Sequence, residues 1–207
     1  FIENIYVIHP DLQIYIHTWN IIANNISWRN IDANYQNVDE ELIYNYFGKF
    51  KKCIKHIIID NDTNITLIGN LIGNINNGPM PIVGWKNYWY GKYKIIDYIY
   101  NQNLTQNQNI NQPIVNFRFD LFDNSNNFDD KTVINFIMDN NKLQFTKNIF
   151  MFNYECNGID NIYMGNIYTM HKLIHKFNYE LDNILTKNNN IVNQEKLVYR
   201  INSTLFD

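Results

Sequence analysis

The stretch PIVNFRFDLF (113–122) places Arg118 and Asp120 two residues apart where an apolar run ends, with Asp123, Asp129 and Asp130 close behind. Side chains two apart on a strand share a face, so Arg118 and Asp120 project together, opposite Val115, Phe117 and Phe119. A cation and an anion presented side by side suit a charged ligand; the same pair also makes an ordinary strand-end salt bridge. A second set, Asp60-Asn61-Asp62, follows the apolar run HIIID (56–60). Two carboxylates at that spacing can hold a divalent cation, and a solvated turn with Asx hydrogen bonds explains them equally well. His17 and Trp19 close the run LQIYIHTW (12–19). A histidine there is either a satisfied, partly buried group or part of a site. Trp19, Trp85 and Trp89 offer rings that stack on a base or sugar, although aromatics at helical spacing also build cores. His171 and His175 stand four apart, as zinc ligands on a helix do. Lys172 rather than Glu follows His171 and no third ligand is apparent, so the pair reads as a solvated face.

The elements that must position these groups follow from periodicity. LQIYIHTW alternates as a strand does, and HIIID is a short continuous apolar run of the kind found in buried parallel strands. NVDEELIYNYFGKF (37–50) reads as a helix, with Asn37 and Glu40 at capping-box spacing. Residues 61–84, rich in Asn, Gly and Pro, predict a long loop with room for a short helix. Trp85, Tyr88, Trp89, Ile96 and Ile99 define a helix over 84–100, and a strand is expected over 114–119. TVINFIMD (132–139) fits strand or helix, NIFMFNY (148–154) is strand-like, and NQEKLVYRI (193–201) is either. The clearest helix is 166–185, with a stripe of Ile167, Met170, Ile174, Phe177, Leu181 and Ile184. Strands alternating with helices predict an α/β chain, a mostly parallel sheet with helices on both faces in three layers. Ligands of such sheets sit at the carboxyl ends of the strands, where His17, Asp60, Arg118 and Asp120 fall.

Composition narrows the classes. The 207 residues are 45% hydrophobic and 15% aromatic, enough for a packed core without staples. A net charge of −3 gives no basic stripe for nucleic acid. Cys53 and Cys156 form no metal or redox spacing; one disulfide is the alternative to the reading adopted, two free buried thiols. No apolar run approaches the ~18 residues of a membrane span, and no signal peptide is apparent. Asn makes up roughly a fifth of the chain and Ala is nearly absent. AT-rich codons explain both, because the Asn residues are interleaved with strong apolar periodicity.

The order of motifs carries a resemblance. IYIHTW (14–19), WYGKYK (89–94), VNFRFD (115–120) and DNIYMG (160–165) are similar to the patterns hFIHTW, WYxxYK, hRxRxDh and DNhxhG in viral and bacterial nucleotide-sugar glycosyltransferase-like proteins. The composition is similar to that of giant-virus proteins. The resemblance implies a Rossmann-like GT-A fold and transfer of a sugar from a nucleotide-sugar to a glycan or protein hydroxyl. It implies donor contacts from Arg118, Asp120, His17, Trp19 and Trp89, and a general base at Asp160. A Mn²⁺ or Mg²⁺ ion would sit on Asp120, or on Asp60 and Asp62. Asp160 is also what a helix-entry carboxylate with a local hydrogen bond would be.

Two departures stand out. Phe119 occupies a position where Pro is common, and no first strand with its Gly-Arg-type loop precedes FIENIYVIHP. A single domain over 1–207, part of a longer polypeptide and lacking that strand, is the expectation. A glycosyltransferase-like module that binds glycan or another domain without catalysis is the alternative. The setting implied is host cytoplasm or a viral factory; the oligomeric state is left open.

Overall fold

The computed structural model describes residues 1–20, 37–106, 111–118, 129–154, 159–191 and 193–206. Asp120, Asp123 and Cys156 lie outside the described residues. Two compact units divide the chain, 1–95 and 96–207.

In the first unit the two apolar runs form strands β1 (Ile14–Trp19) and β2 (Ile54–Asp60), paired in parallel with Trp19 opposite Asp60 and His17 opposite Ile58. Parallel neighbours cannot be joined by a tight turn, and the connection here includes helix α2 (Glu40–Phe47). Its residues Ile43 and Phe47 close a small core with Ile16, against which Ile14, Ile54, Ile57 and Ile59 pack. The cap of α2 is Asp39 and not Asn37. The Asp39 carboxylate accepts from the Leu42 amide at 2.8 Å, leaving Glu40 and Glu41 in the first turn, where the helix dipole favours them. Ahead of β1, residues Ile2–Ile8 form a short helix, α1.

After β2 the expected long loop is present, with one 3-10 turn at Ile75–Asn77. Buried Lys86 donates to the Ile68 carbonyl and ties this loop to helix α3 (Ile82–Gln106). Residues 82–95 of α3 belong to the first unit and the remainder to the second. Trp85 and Trp89 are fully buried, with rings edge-to-face at 6.1 Å.

The second unit overturns the predicted sheet. Strands β3 (Pro113–Phe117), β4 (Ile149–Phe150) and β5 (Ile162–Asn166) form a three-stranded sheet in the order β3-β5-β4, and both pairings are antiparallel. The described residues thus hold five strands in two small sheets, one parallel pair and one antiparallel triplet, with six α-helices. This is a mixed α/β fold, not a mostly parallel Rossmann-like GT-A sheet with helices on both faces.

The physical reason lies in segments whose periodicity was ambiguous. TVINFIMD becomes helix α4 (Asp130–Asn140), because Asp129 caps it by accepting from the Thr132 amide at 2.8 Å. NIFMFNY yields a strand of only two residues, and NQEKLVYRI is helix α6 (Gln194–Leu205), capped by Asn193. With those segments used as helices, β5 takes antiparallel neighbours on both edges. All five β5 residues are buried, so continuous burial here marks a central antiparallel strand.

Helix α5 (Ile167–Lys187) follows β5 directly through a capping box, Asn166 with Thr169, and buries the stripe predicted from its spacing. Gly165 leaves room for this junction: a methyl there would collide with the side chains of Asn148 and Thr169. Among the described residues no helix is long and apolar enough to cross a membrane.

Candidate functional site

In the first unit, the parallel register brings the ends of β1 and β2 level, and α3 supplies the third wall. His17 Nε2 lies 3.1 Å from Asp60 Oδ2. Burial holds the His17 imidazole below its ordinary pKa; the hydrogen bond and charge of Asp60 oppose this more weakly, and Lys94 adds to the lowering. A neutral imidazole has one N–H, and a carboxylate only accepts, so Nε2 carries the proton and donates to Asp60. The other nitrogen, Nδ1, faces Gly91, where an added methyl would lie 2.5 Å away. His17 is therefore clamped between α3 and Asp60. It orients the carboxylate, and Asp60, with its side chain 22% exposed, is the more accessible of the two.

Tyr90 lies against the same carboxylate. Burial pushes its phenol pKa up, and the charge and hydrogen bonding of Asp60 push it further, so the hydroxyl keeps its proton as a donor. The Trp19 and Tyr90 rings are near-parallel at 6.1 Å, and His17 meets Trp19 edge-on at 5.0 Å. Lys94 sits over the Tyr90 ring at 5.9 Å. A carboxylate held by two donors and bordered by aromatic faces and a cation can bind hydroxyls and flat rings.

Asp62 follows in a turn closed by Asn61, whose carboxamide accepts from the Thr63 amide at 3.0 Å and the Thr63 hydroxyl at 2.7 Å. The Asx turn foreseen for this triplet is thus formed. Among the described residues no three His, Cys, Asp or Glu side chains converge to hold a metal ion. Asp60 and Asp62 are two oxygen donors of the kind a Mg²⁺ or Mn²⁺ ion takes when a substrate phosphate completes its shell.

Trp89, expected beside a donor, is wholly buried and touches Trp85 and Tyr88. Its neighbour Tyr90 takes the place at the site. The helical stripe 85–89–96 carried that signal, since residue 90 lies about 100° round from a core position at 3.6 residues per turn.

In the second unit, the Arg118 guanidinium donates to Asn161 Oδ1 at 3.4 Å, which sets it beside the residue next to Asp160. Asp160 opens the buried 3-10 turn Ile159–Asn161 and is only 5% exposed. Burial drives the Tyr163 phenol pKa well up, and the Asp160 charge adds to it. Asp120, the expected donor and metal ligand, lies outside the described residues. His171 differs from the solvated face expected of it: Nε2 is 3.1 Å from Asp97 Oδ1, and its ring stacks on Tyr100 at 4.2 Å.

Both shifted histidines make stability depend on pH. His17 is lowered chiefly by burial, and His175 by burial and then by His171. Between the folded value and the ordinary value of about 6.5, the unfolded chain binds protons that the folded chain does not. Stability is therefore complete above about pH 6.5 and falls as pH drops through the folded values. Thermal melts between pH 8 and pH 5 should show a falling midpoint, with a shallower fall in His17→Gln; a flat profile in the wild type would contradict the burial of His17.

Comparison of the chain with protein-family models, with curated proteins and with solved structures gives no match.

Proposed function

We propose that this protein is a glycosyltransferase that binds a nucleotide-sugar through its first unit and passes the sugar to a glycan or protein hydroxyl. The observation that carries the reading is the cluster of His17, Trp19, Asp60 and Tyr90 at the carboxyl ends of β1 and β2. It joins two motifs of the resemblance, IHTW and WYGKYK, that are some seventy residues apart in the chain. The other two, VNFR and DNIYMG, meet within the second unit through Arg118 and Asn161.

In this reading Asp60 and the Tyr90 hydroxyl hold donor hydroxyls, the Trp19 and Tyr90 faces receive the base or sugar, and Lys94 adds positive charge for the diphosphate. Asp60 and Asp62 would hold Mn²⁺ or Mg²⁺, which supplies neutralisation of the leaving diphosphate. The transfer breaks the bond between the anomeric carbon and the diphosphate oxygen, which leaves with the electron pair. The acceptor oxygen bonds to that carbon and passes its proton to the departing diphosphate.

Calorimetry with uridine and guanosine diphosphate tests the reading. At least one should bind, more tightly with Mn²⁺, and Asp60→Asn should remove the metal's contribution. Absence of binding for both, with and without Mn²⁺, rejects it. The burial of Asp160 favours a second reading, a module that binds glycan without catalysis. The two separate on slow hydrolysis of the sugar-nucleotide without acceptor, which only an enzyme performs.

A further inference from the structure

We propose that the second unit carries a separate binding groove for a small anion bearing a planar ring, formed by Tyr100, Tyr168, His171, Lys172, His175 and Lys176. With Glu180 and Leu205, these residues line an open groove of about 360 Å³ along α5, the end of α6 and Tyr100. That volume falls in the lower range of small-molecule sites. One wall is flat and fixed. The His171 imidazole stacks on the Tyr100 ring at 4.2 Å and 17°, and Asp97 anchors it from behind at 3.1 Å. Beyond it His175 continues the row, 5.6 Å from His171 and 4.4 Å from Tyr179.

The same helix face also carries charge. Lys172 sits over the rings of Phe206 at 4.9 Å and Tyr168 at 5.8 Å, and it meets no carboxylate among the described residues. Lys176 differs, since Glu180 pairs with it at 2.9 Å. The Lys172 ammonium is thus held in place by aromatic faces while its N–H groups stay available to an anion. Tyr168 is 48% exposed beside that cation. A planar ring suits the exposed tyrosine, and an oxyanion suits the lysine ammonium. A metal ion fits less well, because no three ligating side chains converge among the described residues.

Adenosine monophosphate is a suitable probe, with adenosine and inorganic phosphate as its two halves. In amide-resolved NMR titrations of the full chain, adenosine monophosphate should shift the signals of Lys172, His175 and Tyr168, and bind at least tenfold more tightly than either half. Lys172→Gln should weaken it tenfold or more; Asp60→Asn, in the first unit, should leave these shifts unchanged, which separates this site from the donor site. Lys176→Gln provides a second charge removal should Lys172→Gln perturb the fold. Absence of shifts on α5, equal affinity for adenosine, or insensitivity to both lysine changes overturns the proposal.

Discussion

Asp60→Asn is expected to reduce the proposed sugar transfer at least ~100-fold, the scale of losing a charged group that acts on the leaving or attacking oxygen. The change is nearly isosteric, so His17 Nε2 keeps an acceptor and the packing of β1 on β2 is undisturbed. What disappears is the negative charge that a cation or a sugar hydroxyl would meet. The same variant has a readout independent of function. Asp60 is the main influence holding the His17 pKa up against burial, so removing its charge should lower that value further. A histidine NMR titration measures it. If His17 titrates unchanged, the His17–Asp60 pair is not formed in solution; if it falls while transfer persists, Asp60 is an internal support and the proposed donor site is wrong.

Trp89→Ala should be the most damaging single change to stability, at about 3–5 kcal/mol, the range for removing a large aromatic from a packed core. Trp89 is 0% exposed and lies against Trp85 and Tyr88, so the deletion leaves a cavity that α3 cannot close. Trp19→Ala provides the contrast. Trp19 is only partly buried at the strand end, where its ring faces Tyr90. It should cost about 1 kcal/mol or less in stability and most of the nucleotide affinity. Urea unfolding of the two variants separates the roles: a small loss in Trp89→Ala would mean that its indole is not a core group, and intact nucleotide binding in Trp19→Ala would remove the aromatic platform.

Much of the molecule was legible in the residues taken alone. Continuous or alternating apolar runs identified β1 and β2, and the 3.6-residue stripe of α5 named its buried face, because burial on one side imposes a period on the chain. The carboxyl ends of β1 and β2 followed from the same runs, and with them the positions of His17, Trp19 and Asp60 on those strands. Local pattern stopped short wherever two partners compete for a segment. TVINFIMD and NQEKLVYRI suit either secondary structure; a capping Asp129 and Asn193, with α4 and α6 packed in place, decided for helix. That choice left β5 between two antiparallel neighbours, a matter of long-range pairing that no period reveals.

Tertiary structure also decided which group of each motif does what. Trp89 and Tyr90 are adjacent in sequence, yet one is core and the other borders Asp60. His171 looked solvated until Asp97 and Tyr100, more than seventy residues earlier, enclosed it. The sequence by itself determined which residue types could do chemistry and which strand ends present them. Only the folded chain determined their partners, because a hydrogen bond or a ring contact depends on distance in space, and periodicity measures distance along the backbone.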